Sequence, residues 1–210
     1  METRLQQDFF TVVNQRHSVK QYDASVKMSK DEIKELLEIT AKAPSAWNLQ
    51  HWKFLVFDDQ EAKEKLLPIS YYQQQVVQAS IVVAILGDLE ANKNAQAVFG
   101  PDVEAGLMSQ EVMNTLVGQI EGAYTRPNVA RDAAILNSSL AGMQLMLAAK
   151  AMGYDTCPMG GFDPQKLVET FNIPSRYLPV MLVTVGKAAQ PARPSSRLPI
   201  DDITVWNRFE

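Results

Sequence analysis

Ala130-Arg131-Asp132-Ala133-Ala134-Ile135-Leu136-Asn137-Ser138-Ser139-Leu140-Ala141-Gly142-Met143-Gln144-Leu145-Met146-Leu147-Ala148-Ala149-Lys150-Ala151-Met152 is the longest apolar stretch of the chain. Its apolar and small residues run nearly all the way round a helix, which predicts burial on most sides. Gly153 stands where a helix takes a C′ glycine. A membrane span needs about 20 predominantly apolar residues. Here Asn137, Ser138, Ser139 and Gln144 break the run, which is most apolar from Ala133 to Met152, with Arg131 and Asp132 just before that part and Lys150 near its end. The reading is a central helix of a soluble protein, not a transmembrane one.

Outward from this helix, Ile81 to Leu86 is a continuous apolar run rich in β-branched residues, a strand buried on both faces. Trp52 to Phe57 and Pro179 to Val185 read as two more strands, the last stopped by Gly186. A first helix is predicted over Leu5 to Asn14. Ser29 and Glu32 form a capping box that opens a second helix, with Ile33, Leu36, Leu37 and Thr40 at helical spacing. That helix must end near Ala43, because Pro44 disfavours helical geometry in the residue before it. Pro44 to Gln50 reads as a loop. Short helices are expected up to Leu67 and through Gln78, and partial helix from Ala91 to Pro127. Asp163-Pro164 reads as an N-cap followed by proline at the first helical position. The segment 187–210 carries Pro191, Pro194 and Pro199 and so is neither an ordinary helix nor a central strand. It also carries Leu198, Ile200, Ile203, Val205, Trp206 and Phe209, which makes it an apolar extended arm in search of a surface.

Composition narrows the class. The chain has 210 residues, 46% of them hydrophobic, enough for one sizeable core. The net charge of −4, with both signs mixed along the chain, speaks against a nucleic-acid binder, which usually shows a basic face. Cys157 is the single cysteine, so no internal disulfide forms and a reducing compartment is expected. With no signal-like pattern in Met1-Glu2-Thr3-Arg4, a cytoplasmic location is the expectation. Two histidines and one cysteine supply no zinc set. There is no dinucleotide fingerprint, no Walker loop and no nucleophile elbow. Chemistry, if present, then belongs to a bound organic cofactor.

Three polar clusters remain. Arg16, Ser18 and Lys20 alternate, with His17 between them, and period-two residues of an extended segment share a face. Two cations and a hydroxyl on one face make a phosphate clamp; a solvated loop after a helix is the plainer reading of the cluster taken alone. Pro44-Ser45-Ala46-Trp47-Asn48-Leu49-Gln50 offers amides suited to the edge of a heteroaromatic ring, or else a polar turn feeding a strand. Pro158-Met159-Gly160-Gly161-Phe162-Asp163 allows close backbone approach to a ligand, or else is a simple turn before a helix. Cys157 has no histidine near it in sequence and reads as structural.

Taken in order, these clusters resemble the FMN-dependent nitroreductase family. Arg16-His17-Ser18-Val19-Lys20 is similar to its N-terminal phosphate motif. Ala43 to Gln50 is similar to the segment that reaches the cofactor across a dimer, and Pro158 to Asp163 to the loop over the flavin ring. Ser196-Arg197-Leu198-Pro199 is similar to the C-terminal segment that adds a phosphate cation. The resemblance implies an α+β fold: a mixed, largely antiparallel sheet flanked by helices, in an intertwined homodimer. It implies a single domain over 1–210, with 187–210 as an arm onto the partner subunit. It also implies FMN held by Arg16, His17, Ser18, Lys20, Pro44, Ser45, Ala46, Asn48, Gln75, Pro158, Met159, Gly160, Gly161 and Arg197, with no metal and no side chain named as acid or base. NAD(P)H and a small acceptor such as a nitroaromatic or quinone would then react in turn at one face. Dehalogenation, oxidation, flavin breakdown and non-catalytic flavin binding are the alternatives. His51 departs from the proline of many relatives, Gly160 from an acidic residue of some, and Gln75 and Ser195 from lysines of some.

Overall fold

The computed structural model describes residues 8–209. Its sheet has four strands: β1 (Trp52–Phe57), β2 (Ile81–Asp88), β3 (Asp155–Met159) and β4 (Tyr177–Gly186). They lie in the order β1-β2-β4-β3, each neighbouring pair antiparallel. The parallel pairing among the described residues is an isolated bridge from Ser18 to Thr156. β2 is buried at all eight positions, as a continuous apolar run in a covered central strand requires. Its alternate side chains feed two cores. Ile81, Val83 and Ile85 meet the helices α2 (Lys30–Thr40) and α7 (Val129–Ala151). Val82, Ala84 and Leu86 face α3 (Gln60–Ile69) and α8 (Pro164–Thr170) on the other side.

Local signals act where the sequence places them. Ser29 and Glu32 close the capping box of α2. Asp163 caps α8 by accepting from the N–H groups of Gln165 and Lys166. Gly153 sits at φ +80°, and Gly153 and Tyr154 donate to the carbonyls of Lys150 and Ala149, the paired bonds of a Schellman end. α7 lies so close on the sheet that a Cβ on Gly142 would stand 2.9 Å from Met181 Sδ, and one on Gly87 3.0 Å from Ala134. A third apolar cluster joins α5 (Ala95–Glu104) and α6 (Gln110–Tyr124) to Leu49, beyond the end of the sheet.

Several boundaries differ from the sequence reading. The first helix, α1, is Phe9–Gln15; Leu5 to Gln7, its expected opening, lie outside the described residues. α2 stops at Thr40, three residues before Ala43. The Pro44–Gln50 segment contains a 3-10 turn, Ala46–Asn48, with Trp47, Asn48 and Gln50 all in the left-handed region. β3 is a strand where the sequence reads only a loop. α7 is not buried all round in a single chain: Leu136, Leu140 and Met143, at i, i+4 and i+7, are 64%, 43% and 41% exposed. The tail likewise leaves Trp206 and Phe209 more than four-fifths exposed. No helix among the described residues is long and apolar enough to cross a membrane.

Candidate functional site

Arg16 ends α1 by donating its N–H to the Val12 carbonyl, and its backbone is extended. The next residues run along β3, where Val19 donates to the Thr156 carbonyl at 3.0 Å. Val19 points inward and is buried. Ser18 and Lys20 therefore point outward, as period two demands. Ser18 and Lys20 line one cavity with the tail, and with Arg16 they act on the buried Cys157 thiol of β3. Burial pushes that thiol above its ordinary pKa, while the charge of Lys20, the Ser18 hydroxyl and the charge of Arg16 pull it down. Ser18 and Lys20 of the first polar cluster thus stand beside β3 on one cavity wall. His17 does not join them; it lines a separate cavity with Lys150 and Asp155, which pair at 2.9 Å.

The other end of β3 opens at Gly160-Gly161. Met159 and Phe162 are buried on either side, and the two glycines are exposed. Neither glycine is in the left-handed region, so conformation does not explain them. Crowding within the chain does not explain Gly160 either, where an added Cβ meets nothing within 4 Å, whereas one on Gly161 meets Gln73 Nε2 at 3.2 Å. That nitrogen donates to the Gly161 carbonyl at 2.8 Å and the Ser70 carbonyl at 3.1 Å. Gln75, buried, in turn donates to Gln73 Oε1 at 3.2 Å. The Asp163 N–H donates to the Ile69 carbonyl. The end of α3 and the turn after it therefore clamp the glycine loop. Tyr71 and Tyr72, both left-handed and mostly exposed, lead into the clamp.

The second cluster is held from α7. The Ala46 N–H donates to Asn137 Oδ1 at 2.8 Å, and Asn137 Nδ2 donates to the Ala133 carbonyl at 2.7 Å. Ser138 Oγ donates to the His51 carbonyl at 2.8 Å, Asn94 Nδ2 to the Leu49 carbonyl at 2.9 Å, and the Gln50 N–H to Ser45 Oγ at 2.9 Å. Pro44, Asn48 and Gln50 stay exposed. His51 is fully buried, with neither ring nitrogen hydrogen-bonded. Burial lowers its pKa, against the pull of Asp88, itself gripped by Arg176 through two bonds of 2.7 Å.

One chain does not bring all the clusters together. The segment before β1 and the loop after β3 lie at the same end of the sheet, because the two strands are antiparallel to each other. They lie at opposite edges, three strand spacings apart, about 14 Å. Arg197 also stands aside: its Nη1 donates to Ser195 Oγ and the Ser196 carbonyl, both at 2.8 Å. Asn137, Ser138, Gln73 and Asn94 were not singled out from sequence as site residues. For the first two a signal exists, since polar side chains inside an apolar helix need a buried partner.

A model of the nitroreductase family matches residues 13–187. The chain belongs to the nitroreductase family. It is 52% identical over 195 residues, 93% of this chain and 96% of the relative, to YodC of Bacillus subtilis, whose name proposes an NAD(P)H nitroreductase. A crystal structure from Exiguobacterium sibiricum 255-15, in complex with FMN, matches with a TM-score of 0.90 at 42% identity, covering 96% of this chain and 98% of that one. A CLA biosynthesis enone reductase from Lactiplantibacillus plantarum is 37% identical over 188 residues, 87% of each chain.

Proposed function

We propose that this nitroreductase-family chain is an FMN-dependent NAD(P)H oxidoreductase. The observation that carries the reading is the path along β3: Ser18 bridges to Thr156 near its start and shares a cavity with Lys20, and Gly160 bares the backbone at its end. Thr156 to Gly160 spans roughly 13 Å of extended chain, with a phosphate clamp at one end and an open ring surface at the other. The donor set and the bare glycine both fit a flavin nucleotide, and the FMN complex of the Exiguobacterium sibiricum protein supports it.

In this reading Arg16, Ser18 and Lys20 grip the phosphate by charge-assisted bonds, with His17 beside them and Arg197 brought in from the tail. Pro158, Met159, Gly160 and Gly161 lie along the ring, and Gln75, through Gln73, fixes the Gly161 carbonyl. Pro44, Ser45, Ala46 and Asn48 serve the site of a partner subunit, across the distance that one chain leaves open. FMN, when bound, supplies a ring nitrogen that accepts hydride from NAD(P)H and a carrier that passes electrons to an acceptor. The chain's own residues position and orient; none at the ring end has to move a proton. The unit is one domain with 187–210 as an arm, in a cytoplasmic homodimer. The exposed α7 stripe and the apolar tail support the dimer, since soluble monomers rarely leave such patches bare.

Nitroaromatics and quinones are the acceptors proposed, taken up after the oxidised nicotinamide has left the same face. Conjugated enones are a second class, favoured by the enone reductase among the relatives. The test is the absorbance spectrum of the purified protein before and after anaerobic NAD(P)H. A flavin spectrum that bleaches, then returns on adding quinone, is expected. A flavin that NAD(P)H never bleaches leaves a binding protein instead.

A further inference from the structure

A cavity of about 610 Å³ lies between the Arg16–Lys20 segment and the tail. Lys20 and Arg193 are the charged residues lining it; Ser18, Ser195 and Ser196 add hydroxyls, and no carboxylate reaches it. Among the described residues neither cation is paired with an acid. Two unpaired cations among hydroxyls, with no counter-charge, make an anion site.

The tail holds Arg193 there by its backbone. The Ala189 N–H donates to the Gln21 carbonyl at 3.0 Å, and Tyr22 bridges to Ala188. Ala192 packs on the Val19–Tyr22–Ala79 cluster. Pro194 then restricts Arg193 itself to extended geometry. The guanidinium is thus carried by a segment anchored one residue before it and stiffened one residue after. Arg197, the tail cation expected from sequence, does not line this cavity and spends its donors on the tail's own serines.

We infer that Arg193 is a phosphate-binding residue of this chain, holding a phosphate monoester together with Lys20 and Ser18. The inference rests on the flavin reading above and commits to the 5′-phosphate of FMN as the ligand. Arg193 would also answer a puzzle of the sequence: Ser195 brings no charge, and the cation enters two residues earlier.

The experiment is titration of flavin-stripped protein with FMN and with riboflavin, which lacks the phosphate, followed by flavin fluorescence. A charge-assisted bond lost without disturbing the fold predicts that Arg193→Ala weakens FMN about ten- to a hundredfold. Riboflavin affinity should stay within twofold, and Arg193→Lys should recover part of the loss. Unchanged FMN affinity in Arg193→Ala overturns the inference. So does an equal loss for FMN and riboflavin, which would make Arg193 a packing residue of the tail. A rise in KM for NADPH but not NADH, with FMN affinity intact, also overturns it and moves the cavity to the nicotinamide nucleotide. Failure of the parent reading looks different: the unmodified protein would not prefer FMN to riboflavin, or Lys20→Ala would bind FMN unimpaired.

Discussion

Replacing Asn137 with leucine tests whether α7 holds the Ala46–Gln50 segment in shape. Trp47, Asn48 and Gln50 sit at φ 50°, 54° and 53°. The left-handed region costs an L-residue about 1–2 kcal/mol, so the segment stores about 3–6 kcal/mol. Four hydrogen bonds involving side chains oppose that strain: Ala46 to Asn137, Gln50 to Ser45, Asn94 to Leu49 and Ser138 to His51. At about 0.5–1.5 kcal/mol each they contribute about 2–6 kcal/mol. The two sums nearly cancel, so the segment's shape is held narrowly. Asn137→Leu keeps the side-chain volume, removes the acceptor of the Ala46 N–H and leaves that donor unpaired, at about 1–3 kcal/mol. Amide hydrogen exchange at Ala46 to Gln50 should rise, and FMN affinity should fall by about five- to 150-fold. Asn137→Asp keeps an acceptor for Ala46 and should retain most FMN affinity while losing global stability to a buried charge. If Asn137→Leu lowers the denaturation midpoint yet leaves both exchange and FMN affinity untouched, Asn137 serves the helix alone and the reasoning fails.

Other outcomes follow from the same geometry. Leu140→Glu puts a charge in the middle of the exposed α7 stripe; sedimentation should show monomers that have lost FMN, and a stable flavin-loaded dimer would contradict the assembly proposed. His51 has its pKa lowered by burial from 6.5, so the unfolded chain binds the proton first. Stability is then complete above about pH 6.5 and falls as pH drops below it, by at most about 1.4 kcal/mol per pH unit; His51→Leu should flatten that slope in urea titrations, and an unchanged slope assigns the acid loss elsewhere. Gly160→Val adds a side chain in open space, so the fold should survive while stopped-flow traces show both flavin reduction by NAD(P)H and reoxidation by quinone slowed. Gly161→Val also presses on Gln73 Nε2 and should cost stability as well, a difference that thermal denaturation can read.

What the sequence made legible was whatever one segment decides for itself. The capping box of α2, the end of α7 at Gly153 and the burial of β2 each depend on a few adjacent residues, and each stands where its pattern puts it. β3 escaped because Asp155-Thr156-Cys157-Pro158-Met159 has no apolar run and contains a proline. An edge strand tolerates proline where its missing N–H faces away from the ladder, and in the chain's own sheet β3 is an edge. The alternation of Arg16, Ser18 and Lys20 was legible for the same local reason; the bridge that sets Ser18 beside Thr156 was not, because some 140 residues separate the two segments. Gln73 and the carbonyl it clamps at Gly161 are 88 residues apart, so no spacing rule reaches that bond. Asn137 and Ser138 were visible as breaks in an apolar run, but the carbonyl and N–H they serve lie some 90 residues earlier.

The same long-range bonds give α7 a double duty. Leu136 and Leu140 face outward from the helix turn that turns Asn137 and Ser138 inward onto the Ala46–His51 backbone. One face of that turn needs a cover, and the other face fixes the amides proposed for a flavin edge. In a single chain those amides lie about 14 Å across the sheet from Gly160, too far to share a ring with it. A second copy laid against the outward stripe would cover the apolar face and offer its own segment to the first copy's glycine loop. Dimer formation and completion of the flavin site would then be one event. Mutations on the outward face should therefore lower flavin affinity without touching any residue near the flavin, with an FMN affinity that rises with protein concentration in the range where dimers form.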